Sequence, residues 1–314
     1  MRNVLVIGAS GFVGSNLCTY LSKANFNVTA YTRSPIDLGP SIHYLSHPSL
    51  QSLFSEPSSL SQFDSIVYAA GRAHLFVGRL NVSHVSNYLG DNTVDPLYIA
   101  RLAELAGVKR FIYISSIKVN GDVTSQSASF TPFDDHCPED IYALSKSVAE
   151  KLLDSLLKSS STSLIVVRPP LIYGPGVKGN LNFLLRFIKY GLPFPLSSLK
   201  KNKRSFLSIY NLQDFIRVLL LHKDACGRTF LVRDPREIST FLFIQAFCRA
   251  FGISLKSFPF PQPLLRLAFL LIGRKSSFSS LSSSLRMDIS YCSQILDWTP
   301  RFSLEDSLNQ YPKY

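Results

Sequence analysis

The sequence predicts an α/β protein with a doubly wound parallel sheet and a smaller C-terminal lobe. In the first half, short apolar runs alternate with stretches of helical periodicity, as in successive β-α-β units. A glycine-rich turn, residues 8–14, follows the first apolar run and opens the first helical stretch. After residue 170, proline and glycine become frequent and the elements shorten. We therefore expect a sheet domain over residues 1–170 and a lobe, interleaved with the sheet, over residues 171–314.

Each element of the sheet domain follows from its local pattern. Buried strands are predicted where four to seven mostly apolar residues lie between polar or glycine-containing turns, at residues 3–7, 27–31, 65–70, 109–115 and 163–167. Helices are predicted at residues 12–23, 84–106 and 142–158. Because proline removes a helical hydrogen bond, the long helix is expected to bend near Pro96, and it should end at Gly107.

Composition indicates a globular protein without disulfides or metal. The chain has 314 residues, of which 46% are hydrophobic and 17% charged, enough apolar surface for a full core. Its five cysteines are dispersed and no histidine pair has metal-ligand spacing, which favours reduced thiols in a cytoplasm. The apolar run at residues 4–7 is too short for a signal peptide. The sequence therefore predicts a cytoplasmic protein with no metal site.

The net charge of +12 suits an anionic partner. The densest basic cluster, Lys200-Lys201-Asn202-Lys203-Arg204, has no interleaved aromatic residues, so we do not expect nucleic acid as a partner. Residues 264–272 are apolar but too few to span a bilayer. A helix packed on the core is the first interpretation of this segment. A weak association with a membrane surface, aided by Arg266, Arg274 and Lys275, is the second.

The glycine-rich turn carries the spacing of a dinucleotide-binding motif. Gly8 permits the tight turn, Gly11 lets the backbone approach a pyrophosphate, and Gly14 allows close helix packing. The helix N-terminus that follows favours the phosphate charge. Residues Gly8, Ser10, Gly11, Phe12, Val13 and Gly14 are therefore the predicted phosphate site of a Rossmann-type domain.

The end of the second predicted strand bears on the choice of cofactor. An acidic residue there would hold the adenosine ribose hydroxyls and favour NAD(H). The sequence instead reads Tyr31-Thr32-Arg33-Ser34, with no carboxylate before Asp37. Arg33 is suited to a 2′-phosphate, so NADP(H) is the favoured cofactor. NAD(H) stays open, with Arg33 as a solvated surface residue.

Tyr142 and Lys146 lie four residues apart, on one face of a predicted helix. A phenol with its ordinary pKa near 10 is a poor acid–base at neutral pH, and a neighbouring cation stabilises its phenolate. The lysine can also bond the nicotinamide ribose. Ser116, at the end of the preceding strand, is placed to hold the substrate oxygen while Tyr142 moves its proton.

With the glycine motif and Ser116–Tyr142–Lys146, the chain resembles the extended short-chain dehydrogenases of the NAD-dependent epimerase/dehydratase family. The resemblance extends over nearly the whole chain, through residues 109–111, 115–121, 168–176 and 297–300. Residues 116–121 and 176–180 are similar to a bacterial branch of nucleotide-sugar 4-epimerase-like proteins. That branch includes 4-keto reductases that make UDP-N-acetylquinovosamine for surface polysaccharide, such as the O-antigen.

The resemblance implies roles for individual residues. Ser116, Tyr142 and Lys146 would be the catalytic set, and Asn92 would support it. Asn180 and Arg204 would lie against the diphosphate of a nucleotide-sugar. Further cofactor contacts would come from Ala69, Ala70, Gly71 and Pro169 as well as from Tyr142 and Lys146. Relatives commonly form homodimers through two helices per subunit, which here would be residues 84–106 and 142–158.

Three functions are compatible with these motifs. The leading hypothesis is NAD(P)H-dependent reduction of the C4 keto group of a nucleotide-linked 6-deoxy sugar, with a UDP-N-acetylamino sugar as the expected substrate. The second is a UDP-hexose or UDP-N-acetylhexosamine 4-epimerase that uses the same residues with a retained NAD. A non-catalytic NADP-binding regulator is the alternative from another class.

Overall fold

The computed structural model describes residues 2–72, 82–177, 199–255, 257–258, 260–271 and 281–311. Its strands are β1 (Asn3–Ile7), β2 (Asn27–Thr32), β3 (His43–Ser46), β4 (Ser65–Tyr68), β5 (Arg110–Ile114), β6 (Ser163–Arg168), β7 (Leu171–Tyr173), β8 (Phe206–Ser208) and β9 (Arg228–Leu231). Seven of them form one sheet in the order β3-β2-β1-β4-β5-β6-β9, and β7 pairs with β8 separately.

All neighbours in the seven-stranded sheet are parallel, and the strand order reverses between β1 and β4. The predicted doubly wound α/β fold is thus confirmed. Such a reversal opens a crevice at the carboxyl ends of the two strands, where ligands of this fold class bind. Residues 4–7 of β1 are fully buried, as expected for a strand covered on both faces.

The helices lie on both faces of the sheet and in the lobe. They are α1 (Phe12–Lys23), α2 (Leu50–Leu53), α3 (Val82–Leu89), α4 (Asp95–Leu105), α5 (Ile141–Leu157), α6 (Ile209–Leu221), α7 (Thr240–Ala250), α8 (Gln262–Leu271), α9 (Ser290–Leu296) and α10 (Leu304–Asn309). None of the helices in the described ranges is long and apolar enough to cross a membrane.

The predicted long helix at residues 84–106 is divided at a different place from the one expected. A π-helical turn at Gly90–Val94 separates α3 from α4, and Pro96 lies in the first turn of α4. Proline offers no amide to the preceding turn, and the carbonyls of Asp91 and Asn92 in that turn accept hydrogen bonds from the Tyr68 and Tyr113 hydroxyls. The π-helical turn carries Asn92 and Thr93, both buried against α5.

The C-terminal part of the chain completes the core beside the sheet. Trp298 is buried, and its ring centroid lies 4.6 Å from that of Phe215 in α6. The indole Nε1 of Trp298 donates to Asp214 Oδ2 at 2.8 Å. Both rings belong to the hydrophobic cluster that includes Val4 and Val6 of β1. Residues near both ends of the chain therefore share one core.

Candidate active site

The glycine-rich turn leaves no room for side chains. Gly8 has a φ of +91°, and a Cβ added there would lie 2.5 Å from the Ala70 amide nitrogen. A Cβ on Gly14 would lie 2.2 Å from the Gly8 carbonyl oxygen. Gly11 is the N-cap of α1 and no side chain caps that helix, so its first amides face the turn. The turn is a backbone cradle of the type that takes a pyrophosphate.

A cleft of about 480 Å³ opens beside this cradle, at the reversal between β1 and β4. Seven of the predicted cofactor residues line it: Gly8, Ser10, Gly11, Arg33, Ala69, Ala70 and Gly71. Phe12, Val13 and Gly14 form the first turn of α1. Residues 48–51 also line the cleft, although the sequence pattern did not point to them. The available signal was Ser49, a residue type that caps helices and here caps α2.

Arg33 lies at the mouth of the cleft, but it already has a carboxylate partner. Its Nη2 lies 2.9 Å from Asp91 Oδ1, and Arg72 pairs with Asp91 Oδ2 at 3.1 Å. Asp91 lies in the π-helical turn, so the residues at the end of β2 could not predict this ion pair. The structure therefore gives no support to the expected preference for NADP(H), because the Arg33 charge is balanced by Asp91.

The structure brings Ser116 and Tyr142 together. Ser116 follows β5 and caps a short 3₁₀ turn at Ile117–Val119. Asp140 caps α5, accepting the Ala143 amide at 2.7 Å, and so sets Tyr142 in the first turn of the helix. Ser116 lies within reach of Tyr142, and its side chain opposes the rise that burial causes in the pKa of the phenol. Lys146 lies one turn further along the same helix and is buried.

Burial dominates the electrostatics of these groups. It raises the pKa of Tyr142 to about 12, and the interaction with Ser116 opposes the rise. It lowers the pKa of Lys146 to about 7, and the negative charge of Glu150 opposes the fall. Lys146 Nζ donates to the Ile114 carbonyl at 2.9 Å and lies 4.5 Å from the centre of the Tyr113 ring. In the protein without ligands, the phenol form of Tyr142 is favoured at neutral pH.

Asn92 connects the cleft to the catalytic helix. Its Oδ1 accepts the Arg72 amide at 2.8 Å, and its Nδ2 donates to Ser145 Oγ at 2.9 Å. A Cβ on Gly71 would lie 2.9 Å from Asn92 Oδ1 and 3.1 Å from Lys146 Nζ. Gly71 at the end of the cleft and Lys146 are therefore in direct contact, with Asn92 beside them.

A buried ion pair lies under the catalytic helix and was not foreseen from the sequence. Glu150, one turn after Lys146, accepts from Arg168 Nε at 3.1 Å and from Nη2 at 2.6 Å. Ser115 Oγ also donates to the Glu150 carboxylate. Arg168 Nη1 donates to Asn120 Oδ1 at 3.0 Å. Pro169 follows at the end of β6, where its carbonyl accepts the Ile117 amide at 2.9 Å.

Arg204 approaches the site from the lobe. It is buried, which lowers its pKa to about 10, and its Nη1 donates to the Ser283 carbonyl at 2.8 Å. Its charge interacts with Asp122, which pairs at 3.2 Å with Lys118, two residues after Ser116. Arg204, the residue predicted to contact the substrate diphosphate, therefore lies within electrostatic range of the catalytic loop. Asn180, its predicted partner, lies outside the described residues.

The described residues hold no group of three or more metal-ligating side chains, and the thiols of all five cysteines are free. The cradle of Gly8, Gly11 and Gly14 fits a dinucleotide, because it has the close backbone packing of a dinucleotide-binding turn: a Cβ at Gly8 or Gly14 would collide with backbone atoms.

Comparisons with known proteins agree with this geometry. Residues 4–232 match the NAD dependent epimerase/dehydratase family. The chain is 35% identical to a UDP-glucose 4-epimerase of Vibrio cholerae over 98% of its own length and 94% of that protein. It is 28% identical to an N-acetyl-alpha-D-glucosaminyl-diphospho-ditrans,octacis-undecaprenol 4-epimerase of Escherichia coli O157:H7, over 83% of this chain and 76% of the relative.

Among solved structures, a UDP-glucuronic acid 4-epimerase from Bacillus cereus in complex with NAD superposes with a TM-score of 0.75. The two chains are 19% identical, and the match covers 98% of this chain and 94% of the other. At that identity the likeness concerns the fold.

Proposed function

The chain belongs to the NAD dependent epimerase/dehydratase family, and on that premise we propose that it is a 4-epimerase of a diphosphate-linked hexose or N-acetylhexosamine. The observation that carries the proposal is the proximity of Ser116 and Tyr142, with Lys146 one turn along the same helix. The near full-length similarity to a UDP-glucose 4-epimerase supports this reaction.

In the proposed reaction, Tyr142 exchanges a proton with the C4 hydroxyl of the sugar. Ser116 donates a hydrogen bond to the same oxygen and holds it in place. A bound nicotinamide supplies the group that accepts and returns the C4 hydride. Because burial favours the phenol form of Tyr142, return of the proton to the sugar oxygen is favourable. Removal of that proton depends on the positive charge of Lys146, one turn along the same helix.

For the cofactor, we propose NAD(H), held by the glycine turn and residues 69–71, with NADP(H) as the alternative. The ion pair between Arg33 and Asp91 supports this order, because a 2′-phosphate would have to compete with a carboxylate 2.9 Å from Arg33. The test is the dissociation constant of NADH and NADPH for the wild-type protein and for Asp91→Asn. We expect a gain in NADPH affinity only in Asp91→Asn, and equal preference in both proteins would contradict the role of the pair.

A 4-keto reductase is the second candidate, because no carboxylate follows β2 at residues 32–34. A site of that kind suits an exchangeable NADP(H), as reduction requires. A non-catalytic regulator is disfavoured, because the chain retains Ser116, Tyr142 and Lys146.

One assay separates the candidates. The purified protein is incubated with UDP-glucose, with UDP-N-acetylglucosamine and with a UDP-4-keto-6-deoxy sugar plus NADPH. Interconversion of C4 epimers without added reductant supports the epimerase. Stoichiometric NADPH oxidation moves the assignment to the reductase. The same assay with an N-acetylglucosaminyl diphospholipid tests the carrier that the E. coli relative uses.

We also propose a homodimer formed by α4 and α5. Four apolar side chains of these helices and the turn before α4 are 45–55% exposed, namely Val94, Leu105, Leu144 and Leu152. Size-exclusion chromatography with light scattering tests this, and a monomeric mass at micromolar concentration would contradict it.

A further inference from the structure

An exposed apolar face runs along α8. The side chains of Leu264, Leu267 and Leu270 are 52%, 49% and 53% exposed, so these leucines are not packed into the core. At about 100° per residue, they fall with the exposed Pro263 and Arg266 in one arc of about 160°. Arg266 lies at one edge of that arc. The face therefore combines an apolar strip with a basic margin, as in helices that lie in a membrane interface.

The positive charge of the chain lies in its C-terminal half, which carries this helix. Residues 1–154 contain 11 Lys and Arg and 13 Asp and Glu, whereas residues 155–314 contain 22 and 8. Between Glu237 and Asp288 there are six basic residues and no acidic one. The whole net positive charge thus belongs to the half of the chain that carries α8. Anionic lipid headgroups are the complementary surface for such a distribution.

Both ends of the segment that carries α8 pair with the backbone at Arg204 and Ser205. The Arg204 amide donates to the Ile238 carbonyl at 2.9 Å, and the Ser205 amide donates to the Leu285 carbonyl at 2.8 Å. Ile238 and Leu285, which lie before and after the part of the chain that carries α8, therefore both pair with the backbone at Arg204.

We propose that α8 docks the protein on the surface of an anionic lipid bilayer, with its leucines in the headgroup boundary and Arg266 among the phosphates. Docking would bring the lobe that carries Arg204 to diphosphate-linked sugars anchored in that bilayer. This second step rests on the proposed function, whereas the docking itself does not.

The experiment measures flotation of the full chain with phosphatidylglycerol/phosphatidylethanolamine vesicles and with phosphatidylcholine vesicles. We expect salt-sensitive binding to the anionic vesicles alone. The triple variant Leu264→Ser/Leu267→Ser/Leu270→Ser should bind about tenfold or more weakly. The matched control is Leu221→Ser/Leu242→Ser, which changes two leucines that are 43% and 49% exposed elsewhere, and it should bind like the wild type. Arg266→Glu is the second variant and should also weaken binding, without removing apolar area.

Turnover of the soluble UDP-sugar is measured in parallel and should be equal in all three variants and the wild type. Wild-type protein that does not float, or a triple variant and Arg266→Glu that float like the wild type, would overturn the proposal. The proposal would also be overturned if the wild type bound no vesicles and the triple variant had a smaller oligomeric mass. The exposed leucines would then contact a second copy of the chain. Leucine-dependent flotation without turnover of any sugar would leave docking supported and the proposed epimerase refuted.

Discussion

Replacing Glu150 by Gln is the sharpest test of how the catalytic helix is held. The Glu150 carboxylate receives three hydrogen-bond contacts from Arg168 at 2.6–3.1 Å and one bond from Ser115. The two side chains of the ion pair are only 4% and 6% exposed. Breaking a buried pair by removing one charge costs about 3–5 kcal/mol, because the other charge stays buried without a counterion. We expect a loss of that size in the free energy of unfolding.

The control is Glu104→Gln, which removes the carboxylate of a surface pair with Arg101. Because the Arg101 side chain is 56% exposed, that change should cost less than about 1 kcal/mol. Urea denaturation of the two variants and the wild type measures both values. A free energy of unfolding of Glu150→Gln within about 1 kcal/mol of the wild-type value would refute the reasoning, because the loss of a buried charge pair should destabilise the protein by more than that.

Glu150→Gln should also change the pH dependence of turnover. Glu150 opposes the burial that lowers the pKa of Lys146 to about 7, so its neutralisation lowers that pKa further. Lysine is charged below its pKa. A lower pKa therefore narrows the pH range over which Lys146 is charged and can stabilise the Tyr142 phenolate. The descending limb of the turnover profile assigned to Lys146 should move to lower pH. A purely structural role for Glu150 would leave the limb in place.

Three further predictions concern single positions. Tyr142→Phe should keep its cofactor affinity but lose about 10²–10⁴-fold in turnover, as removal of a general acid–base does. The control Tyr98→Phe should keep both the affinity and the turnover. Calorimetry measures the affinity, and the epimerase assay measures the turnover. Gly14→Ala should lose cofactor binding or stability, because its Cβ would lie 2.2 Å from the Gly8 oxygen, while Gly90→Ala meets nothing within 4 Å and serves as the control. Burial raises the pKa of Asp234 to about 6, so the folded state binds its proton more tightly than the unfolded state. Stability should therefore fall by about 3 kcal/mol in total as the pH rises from about 3 to about 7, and Asp234→Asn should remove this slope in urea titrations; an unchanged slope would contradict the assignment.

The sheet and the catalytic set were predictable because each depends on local pattern. Buried parallel strands are short apolar runs, and the Tyr142–Lys146 spacing defines one helix face whatever surrounds it. The glycine turn was predictable from its spacing. Gly14 meets the Gly8 carbonyl within the same β-α unit, whereas the close contact of Gly8 is with Ala70 after β4.

The rest depends on contacts between distant residues, which spacing does not encode. Arg33 and Asp91 are 58 positions apart, and their ion pair changes the expected cofactor preference. The π-helical turn begins with Gly90 and is followed by Pro96, but these residues mark an ordinary helix bend equally well. Leu264, Leu267 and Leu270 have the composition of a core helix, and only the fold reveals that they face outward.

The burial of Trp298 beside Phe215 has a consequence for the order of folding. During synthesis, the core next to β1 stays incomplete until residue 298 has left the ribosome. Until then, part of the apolar face of the nascent sheet is uncovered, which slows folding and exposes a surface that chaperones bind. A chain that stops before Trp298 would contain the whole dinucleotide cradle but could not complete this core.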